Sequence, residues 1–91
     1  MGEARSTRRI GVVGIVVQNR ELSASMVQST LSEYSDLIVG RMGIPYREKG
    51  VAVIALIVDG DTDRLGGLTG RLGSLDGVHV RSALTSFVDV S

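Results

Sequence analysis

The sequence predicts one α+β domain built from four strands and two helices. Residues 9–18 and 51–58 are rich in Val and Ile and apolar on both faces, which is typical of strands covered on both sides. Each of these strands is followed by a segment with apolar residues at helical spacing. With two further strand-like segments, the order is β-α-β-β-α-β. This is the order of the ferredoxin-like fold: a four-stranded antiparallel sheet, order 4-1-3-2, with both helices on one face.

The composition limits the chemistry that the chain can support. Its 91 residues include no cysteine and one histidine, and the formal net charge at pH 7 is zero. The lack of cysteine excludes disulfides, thiolate zinc sites and iron–sulfur clusters held by this chain. Zero net charge and 3% aromatic residues disfavour a nucleic-acid surface. We expect a cytoplasmic domain without metal, cofactor, membrane attachment or specific nucleic-acid binding of its own.

The first half of the chain supplies a strand, a helix and a second strand. Residues 1–8 predict a flexible tail before the strand at 9–18. Asn19 or Ser23 can cap the helix that follows and that runs to about residue 34. Its inward stripe at helical spacing is Val27, Leu31 and Tyr34. The second strand, residues 37–44, is weakened by two glycines.

The second half repeats the pattern after a turn. Asp61 is a suitable N-cap for the second helix, and Gly73 is a suitable C-terminal stop. The inward stripe of this helix is Leu65, Leu68 and Leu72. The last strand is expected at residues 78–84. The folded domain should therefore cover residues 9–85, and residues 86–91 should form a tail that can at most add an edge strand.

Catalysis finds little support in the sequence. His79 lies between two valines in the last strand, without the companions that a general base or a metal site needs. Gly66, Gly67 and Gly70 lack the spacing of a phosphate-binding loop, and inside a helix each costs about 1 kcal/mol relative to Ala. We expect that these glycines are present because they allow another backbone, or a ligand, to approach the helix closely. We predict that the protein is not an enzyme.

Arg41 is the most distinctive polar residue of the second strand. It lies between Gly40 and Gly43 on a predicted edge strand. A charge there discourages the addition of a further strand, and it can also contact an anion that the glycines allow near the backbone. With Tyr46 in the following turn, these residues are the candidate ligand-binding set.

The two central strands raise the question of what covers the second face of the sheet. Two helices can cover only one face, and several exposed aliphatic side chains in a row are uncommon on monomers. A second subunit is the expected cover, giving a dimer or tetramer packed through the sheet. Candidate interface residues, taken from both faces because the sequence does not distinguish them, are Val12, Val13, Val53, Ile54 and Leu56.

The chain resembles a family of small regulators of iron-only hydrogenase systems. The segments that carry the resemblance are "RIGVVGIVVQNRE", "DLIVGRMGIPYREKGVAVIALIVDGDTD" and "LGGLTGRLGSLDGVHVRSALT". The family is ACT-like, with the ferredoxin-like fold, and is similar to the ligand-sensing domain of nickel-responsive repressors. The resemblance implies a non-enzymatic, oligomeric regulatory domain.

Three features of the related domains do not carry over to this sequence. Eight residues before the first strand are too few for a ribbon–helix–helix DNA reader. His79 alone cannot replace the several His and the Cys of the nickel site. The loop "VQNRELS" lacks the glycine that amino-acid-binding ACT domains use. The leading hypothesis is therefore a homo-oligomeric regulatory domain that senses a small-molecule ligand at a subunit interface. The alternative is a structural module that docks on a separate regulatory or maturation protein.

Overall fold

The structure, a computed structural model, describes residues 8–18 and 21–89 of the chain. Its strands and helices are β1 (Arg8–Gln18), α1 (Glu21–Glu33), β2 (Ile38–Tyr46), β3 (Val51–Asp61), α2 (Thr62–Gly73) and β4 (Val78–Asp89). The strands form one antiparallel sheet in the order β2-β3-β1-β4. This is the predicted 4-1-3-2 order, and the ferredoxin-like fold is confirmed. All of the predicted tail at residues 1–8 except Arg8, which begins β1, lies outside the described residues.

The core lies in one layer between the helices and the sheet. Because side chains alternate across a strand, every second residue of β1 and β3 faces the helices. The register pairs Val13 with Leu56 and Ile15 with Ile54, and all four side chains are buried. The helices contribute their predicted stripes to this layer, namely Val27 and Leu31 from α1 and Leu65, Leu68 and Leu72 from α2.

Helix α2 forms as its sequence predicts. The Asp61 carboxylate accepts a hydrogen bond from the Arg64 backbone N–H at 2.8 Å, which satisfies one of the free donors of the first turn. The helix ends at Gly73, and the Ser74 N–H continues the hydrogen bonding to the Gly70 carbonyl at 3.1 Å. This capping fixes the ends of the helix that covers β3 and β4.

Helix α1 is held in place by a buried serine inside the helix and not by a cap at its N-terminus. Ser23 lies inside the helix and is buried, and its hydroxyl donates to the Asp76 carbonyl at 2.8 Å. Ser23 therefore ties α1 to the turn before β4 and does not cap the helix. The other predicted cap, Asn19, lies outside the described residues. Tyr34, the last residue of the predicted stripe, is only partly buried at the end of the helix.

Strand β4 is longer than the sequence indicated. The predicted tail began at residue 86, whereas the strand continues to Asp89. The pairing with β1 shifts on the way, because Gly11 pairs with Leu84 and Arg9 pairs with Val88. Residues 85–87 therefore form a bulge opposite Ile10. The Thr85 hydroxyl supports the bulge by donating to the Ile10 carbonyl at 2.6 Å.

Strand β2 is displaced from its predicted bounds. Leu37 precedes the strand in a short 3₁₀ turn, Ser35–Leu37, where its side chain is buried in the core. The pairing with β3 is irregular between Ile38 and Gly40, so Val39 forms a bulge on the free edge of the sheet. This bulge sets which of the following residues face the helices.

Glycines occupy two very different environments. A Cβ atom on Gly11 would lie 2.5 Å from the Ala83 carbonyl oxygen, so only glycine allows β1 and β4 to pair as they do. Cβ atoms on Gly66 or Gly70 would meet no atom within 4 Å. The expected close approach of another backbone to these helical glycines is therefore not found within the subunit. Gly67 is the exception, since its Cβ would lie 3.1 Å from the Tyr34 hydroxyl.

Two glycine substitutions should change stability in opposite directions. Gly11→Ala should lower the free energy of unfolding by about 1–3 kcal/mol, because the methyl group overlaps the backbone of β4. Gly66→Ala should raise it by up to about 1 kcal/mol, because alanine is the better helix former and the site is open. Urea denaturation followed by circular dichroism measures both. A destabilised Gly66→Ala protein would show that another molecule packs closely against α2.

Candidate functional site

The face of the sheet opposite the helices, here called the open face, is not covered by any described part of the chain. It is predominantly apolar, and several of its large side chains are about half exposed: Val12 at 52%, Ile57 at 50%, Met42 at 61% and Ile44 at 54%. The other members that the register places on this face are Arg8, Ile10, Gly14, Val16, Gln18, Gly40, Tyr46, Val51, Val53, Ala55, Asp59, Asp61, His79, Arg81, Ala83 and Asp89. The open face is the most extensive apolar surface of the described chain.

A row of four residues crosses the middle of the open face, with the small residues Gly14 and Ala55 at its centre. The register places Arg81 of β4 beside Gly14 of β1, Gly14 beside Ala55 of β3, and Ala55 beside Met42 of β2. A Cβ on Gly14 would meet no atom within 4 Å, so the row is low at its centre. We call this row the trough.

Larger side chains border the trough along both sides. One neighbouring row pairs Val12 with Ile57, and the other pairs Val16 with Val53. Because these rows lie two residues away along each strand, they project from the same face as the trough. The trough is therefore a shallow apolar channel that runs from one edge strand to the other.

The charged groups of the open face lie toward its ends. Arg8 forms an ion pair with Asp59, with 3.3 Å between Nε and Oδ1, and it also donates to the Asp59 carbonyl at 2.7 Å. His79 and Arg81 both lie on β4 and are exposed. Neither has a hydrogen-bond or ion-pair partner among the described residues. Arg81 is thus a cation on the β4 side of the face that pairs with none of the described side chains.

The candidate ligand-binding residues of β2 do not form one site. Gly40 and Tyr46 lie on the open face, but six residues of strand place them about 20 Å apart. Arg41 and Gly43 point to the helix side, where Arg41 donates to the Gln28 side-chain oxygen at 3.0 Å. Arg41 therefore lies beside α1 and not on the open face with Gly40 and Tyr46, and an anion contact of Arg41 stays a prediction. Arg41 points to the helix side because the bulge at Val39 determines on which face of the sheet the following residues lie.

The structure divides the candidate interface residues into two groups. Val12 and Val53 lie on the open face and are available to a second subunit. Val13, Ile54 and Leu56 are 1%, 6% and 1% exposed, because the helices of the same chain already cover them. These three residues lie in the core, so their prediction as interface residues is wrong.

The outer surface of the helices carries a polar cluster with a structural role. Arg64 and Arg71 lie over the Tyr34 ring, with their guanidinium carbons 5.6 and 5.9 Å from its centroid. Arg64 also pairs with Asp36, and Arg71 pairs with Glu33. These contacts join α2 to the end of α1.

The ion pair between Arg64 and Asp36 shifts the pKa values of both side chains in the stabilising direction. The hydrogen bond from Arg64 lowers the pKa of Asp36 and raises that of Arg64. A lowered carboxyl pKa favours the folded state above the unfolded pKa, and this contribution is lost as the pH falls through the folded value. Both side chains are largely exposed, so solvent screening keeps the contribution small. The cluster therefore fastens the helices and does not form a reactive site.

The described residues offer no metal centre. They contain no group of three or more His, Cys, Asp or Glu side chains that could hold a metal ion. His79 lies on the exposed side of an edge strand, paired in register with Val16. No helix among the described residues is long and apolar enough to cross a bilayer.

Sequence reasoning missed the trough and Arg81. The signal was available in part, because Val12, Gly14 and Val16 alternate along β1 and must share a face. The neighbours across the sheet, Arg81 and Ala55, follow only from the register, which a single sequence does not determine.

Comparison with known proteins identified a matching family and similar solved structures. A family model described as "TM1266-like: Iron-only hydrogenase system regulator, putative" matches residues 9–82. The solved structure of the uncharacterized protein TM1266 from Thermotoga maritima is 35% identical in sequence, with a TM-score of 0.85. That match covers 87% of this chain and 99% of the Thermotoga chain. Among curated proteins, no match was found.

We predict that the folded protein carries no tightly bound transition metal. With no cysteine and one histidine, the chain lacks the ligands for a site within one subunit. Elemental analysis should find no stoichiometric iron, nickel or zinc, and dialysis against EDTA should leave the melting temperature unchanged. One metal ion per subunit, or a melting temperature lowered by EDTA and restored by a metal, would contradict the prediction.

Proposed function

The chain belongs to the TM1266-like family of iron-only hydrogenase system regulators, and on that premise we propose that it is a non-enzymatic, homo-oligomeric regulatory domain. The observation that carries the proposal is the open face. Its apolar side chains are arranged on the two central strands, opposite a complete helical layer. A surface of this kind on a small domain is typical of a protein–protein interface.

The size of the open face is suited to a pair of subunits. Four strands spaced about 4.8 Å apart and about nine residues rising 3.3 Å each give a face of roughly 600 Å². Two such faces together would bury roughly 1,200 Å², the lower end of the range for specific interfaces. A symmetric dimer uses the same patch on both subunits, and a face that is mostly apolar is compatible with itself in this way.

A regulatory role requires that the assembly respond to a signal. We propose that a small-molecule ligand binds where the two open faces meet and contacts both subunits. Such a ligand binds one arrangement of the subunits more tightly than the others, and it shifts the population toward that arrangement in proportion to the difference in affinity. A partner protein of the hydrogenase system would then detect the changed assembly.

A second candidate function is a docking module for a separate regulatory or maturation protein. It is favoured by apolar residues that are exposed outside the open face. Leu22 and Met26 lie one turn apart on α1 and are 71% and 44% exposed, and Val39 in the β2 bulge is 70% exposed. A ligand that raises the melting temperature with saturable dose dependence would favour the sensor over the docking module.

Two neighbouring lysine substitutions should have different outcomes. Val53→Lys places the charge on the open face, so the subunits should separate and the lysine should reach water while the fold is retained. Ile54→Lys places it in the core, where an unpaired charge costs several kcal/mol, comparable with the whole stability of a small domain. Light scattering and circular dichroism should therefore show a folded, smaller species for the first variant and unfolded or insoluble protein for the second.

The control for this pair is Ser29→Lys, which adds the same charge to the exposed surface of α1. It should leave both the fold and the mass in solution unchanged. A wild-type protein that is monomeric at micromolar concentration would refute the homo-oligomer. A Val53→Lys protein with the mass of the wild-type assembly would show instead that the subunits assemble through a surface other than the open face.

A further inference from the structure

We propose that the trough is the ligand site and that its ligand is a small carboxylate with an unbranched apolar tail. The Arg81 guanidinium would hold the carboxylate, and the tail would lie over Gly14 and Ala55. This inference rests on the proposed function, because the trough is open to solvent in one subunit and becomes enclosed only when a second copy covers the open face.

The first argument is the space that the trough provides. At its β4 end lies a hollow of about 550 Å³ that borders Gly14, Val16, His79 and Arg81 and extends around the free edge of β4 to Gly73, Val78 and Val80 on the helix side. At the β2 end lies a smaller hollow of about 190 Å³ that reaches Met42 and Ala55. The side chains that project on either side of the row would keep a covering subunit away from its floor.

The second argument is charge. Arg81 lies at the β4 end of the trough, and none of the described residues pairs with it. A covering subunit would remove part of its water, and a charge that is buried without a partner is strongly unfavourable. An anion near the Arg81 guanidinium would offset this cost in the assembled protein.

Among the described side chains of the four strands, a second copy of the open face supplies no free carboxylate. The carboxylates concerned are Asp59 and Asp61; Asp89, at the end of β4, lies beside Arg8 in the register, eight residues along the strand from Arg81. Asp59 already pairs with Arg8, and Asp61 accepts from the Arg64 backbone N–H. A carboxylate from solution matches the planar donor geometry of a guanidinium, which can bind both of its oxygens. The unpaired charge of Arg81 and the apolar trough beside it therefore favour the same kind of ligand.

The dimensions of the trough set the size of this ligand. The row crosses three inter-strand spacings, about 14 Å from β4 to β2. A carboxylate near Arg81 with its tail over Gly14 and Ala55 would use about two of these spacings, which suits a tail of roughly four to six carbons. The rows that border the trough are apolar and hydrophobic contact with a hydrocarbon chain is favourable there.

The experiment uses hexanoate as the probe and hexanamide, its neutral analogue of the same size, as the matched compound. Isothermal titration and thermal denaturation of the full chain should show saturable hexanoate binding and a raised melting temperature. Hexanamide should bind at least about tenfold more weakly, because it lacks the charge that pairs with Arg81.

Two variants locate the site. Arg81→Met retains a long side chain without the charge, and it should weaken hexanoate binding at least about tenfold. Gly14→Val fills the floor of the trough, where added atoms meet no neighbour within 4 Å of the Cβ position, and it should abolish binding without unfolding the subunit. Arg47→Met, which removes an exposed arginine from the β2–β3 turn, is the control and should bind hexanoate as the wild type does.

The outcomes separate this inference from the proposed function. An oligomer that binds no hexanoate, or binds hexanoate and hexanamide equally, overturns the carboxylate site and leaves the regulatory oligomer standing. Binding that survives both Arg81→Met and Gly14→Val also overturns it, because the ligand then lies elsewhere. A monomeric wild-type protein instead overturns the proposed function, and the enclosed site with it.

Discussion

The alternation of side chains along β1 and β3 is the constraint on which the rest of the structure depends. The two strands pair over their whole length in one register, so that each sends one set of residues under the helices and the next set to the opposite side. Both sets are apolar. The first set builds the core with the leucines of α2, and the second set creates the open face, which no described element of the chain covers. Core and proposed interface are therefore two results of one pairing.

The sequence predicted those parts of the fold that local chemistry determines. The Asp61 cap, the leucine stripe of α2 and the end of that helix at Gly73 each depend on residues within a few positions of one another, and each was confirmed. The strand order followed from the order of the elements. The sequence did not show which of Val53 and Ile54 faces the helices. Both residues are aliphatic, and only the helices of the folded chain distinguish the two sides of β3.

The parts that could not be predicted are those that depend on irregular pairing. The bulge at Val39 turns Arg41 toward α1, so a residue that seemed suited to an anion instead contacts Gln28. The extension of β4 required the Thr85 hydroxyl to satisfy the Ile10 carbonyl, a contact between residues far apart in sequence. Arg81 became a candidate only when the register placed it beside Gly14. The sites of functional interest thus arise from long-range geometry and not from short motifs.

The bulge in β4 has a consequence for how the length of the protein can vary. Between the pairs formed by Gly11 with Leu84 and by Arg9 with Val88, β4 advances four residues while β1 advances two. Both numbers are even, so the facing of β4 is the same before and after the bulge. A change of two residues in this segment would preserve which side chains meet the helices, whereas a change of one would exchange the two faces of the strand end. We therefore expect natural relatives of this chain to differ in length here by even numbers of residues.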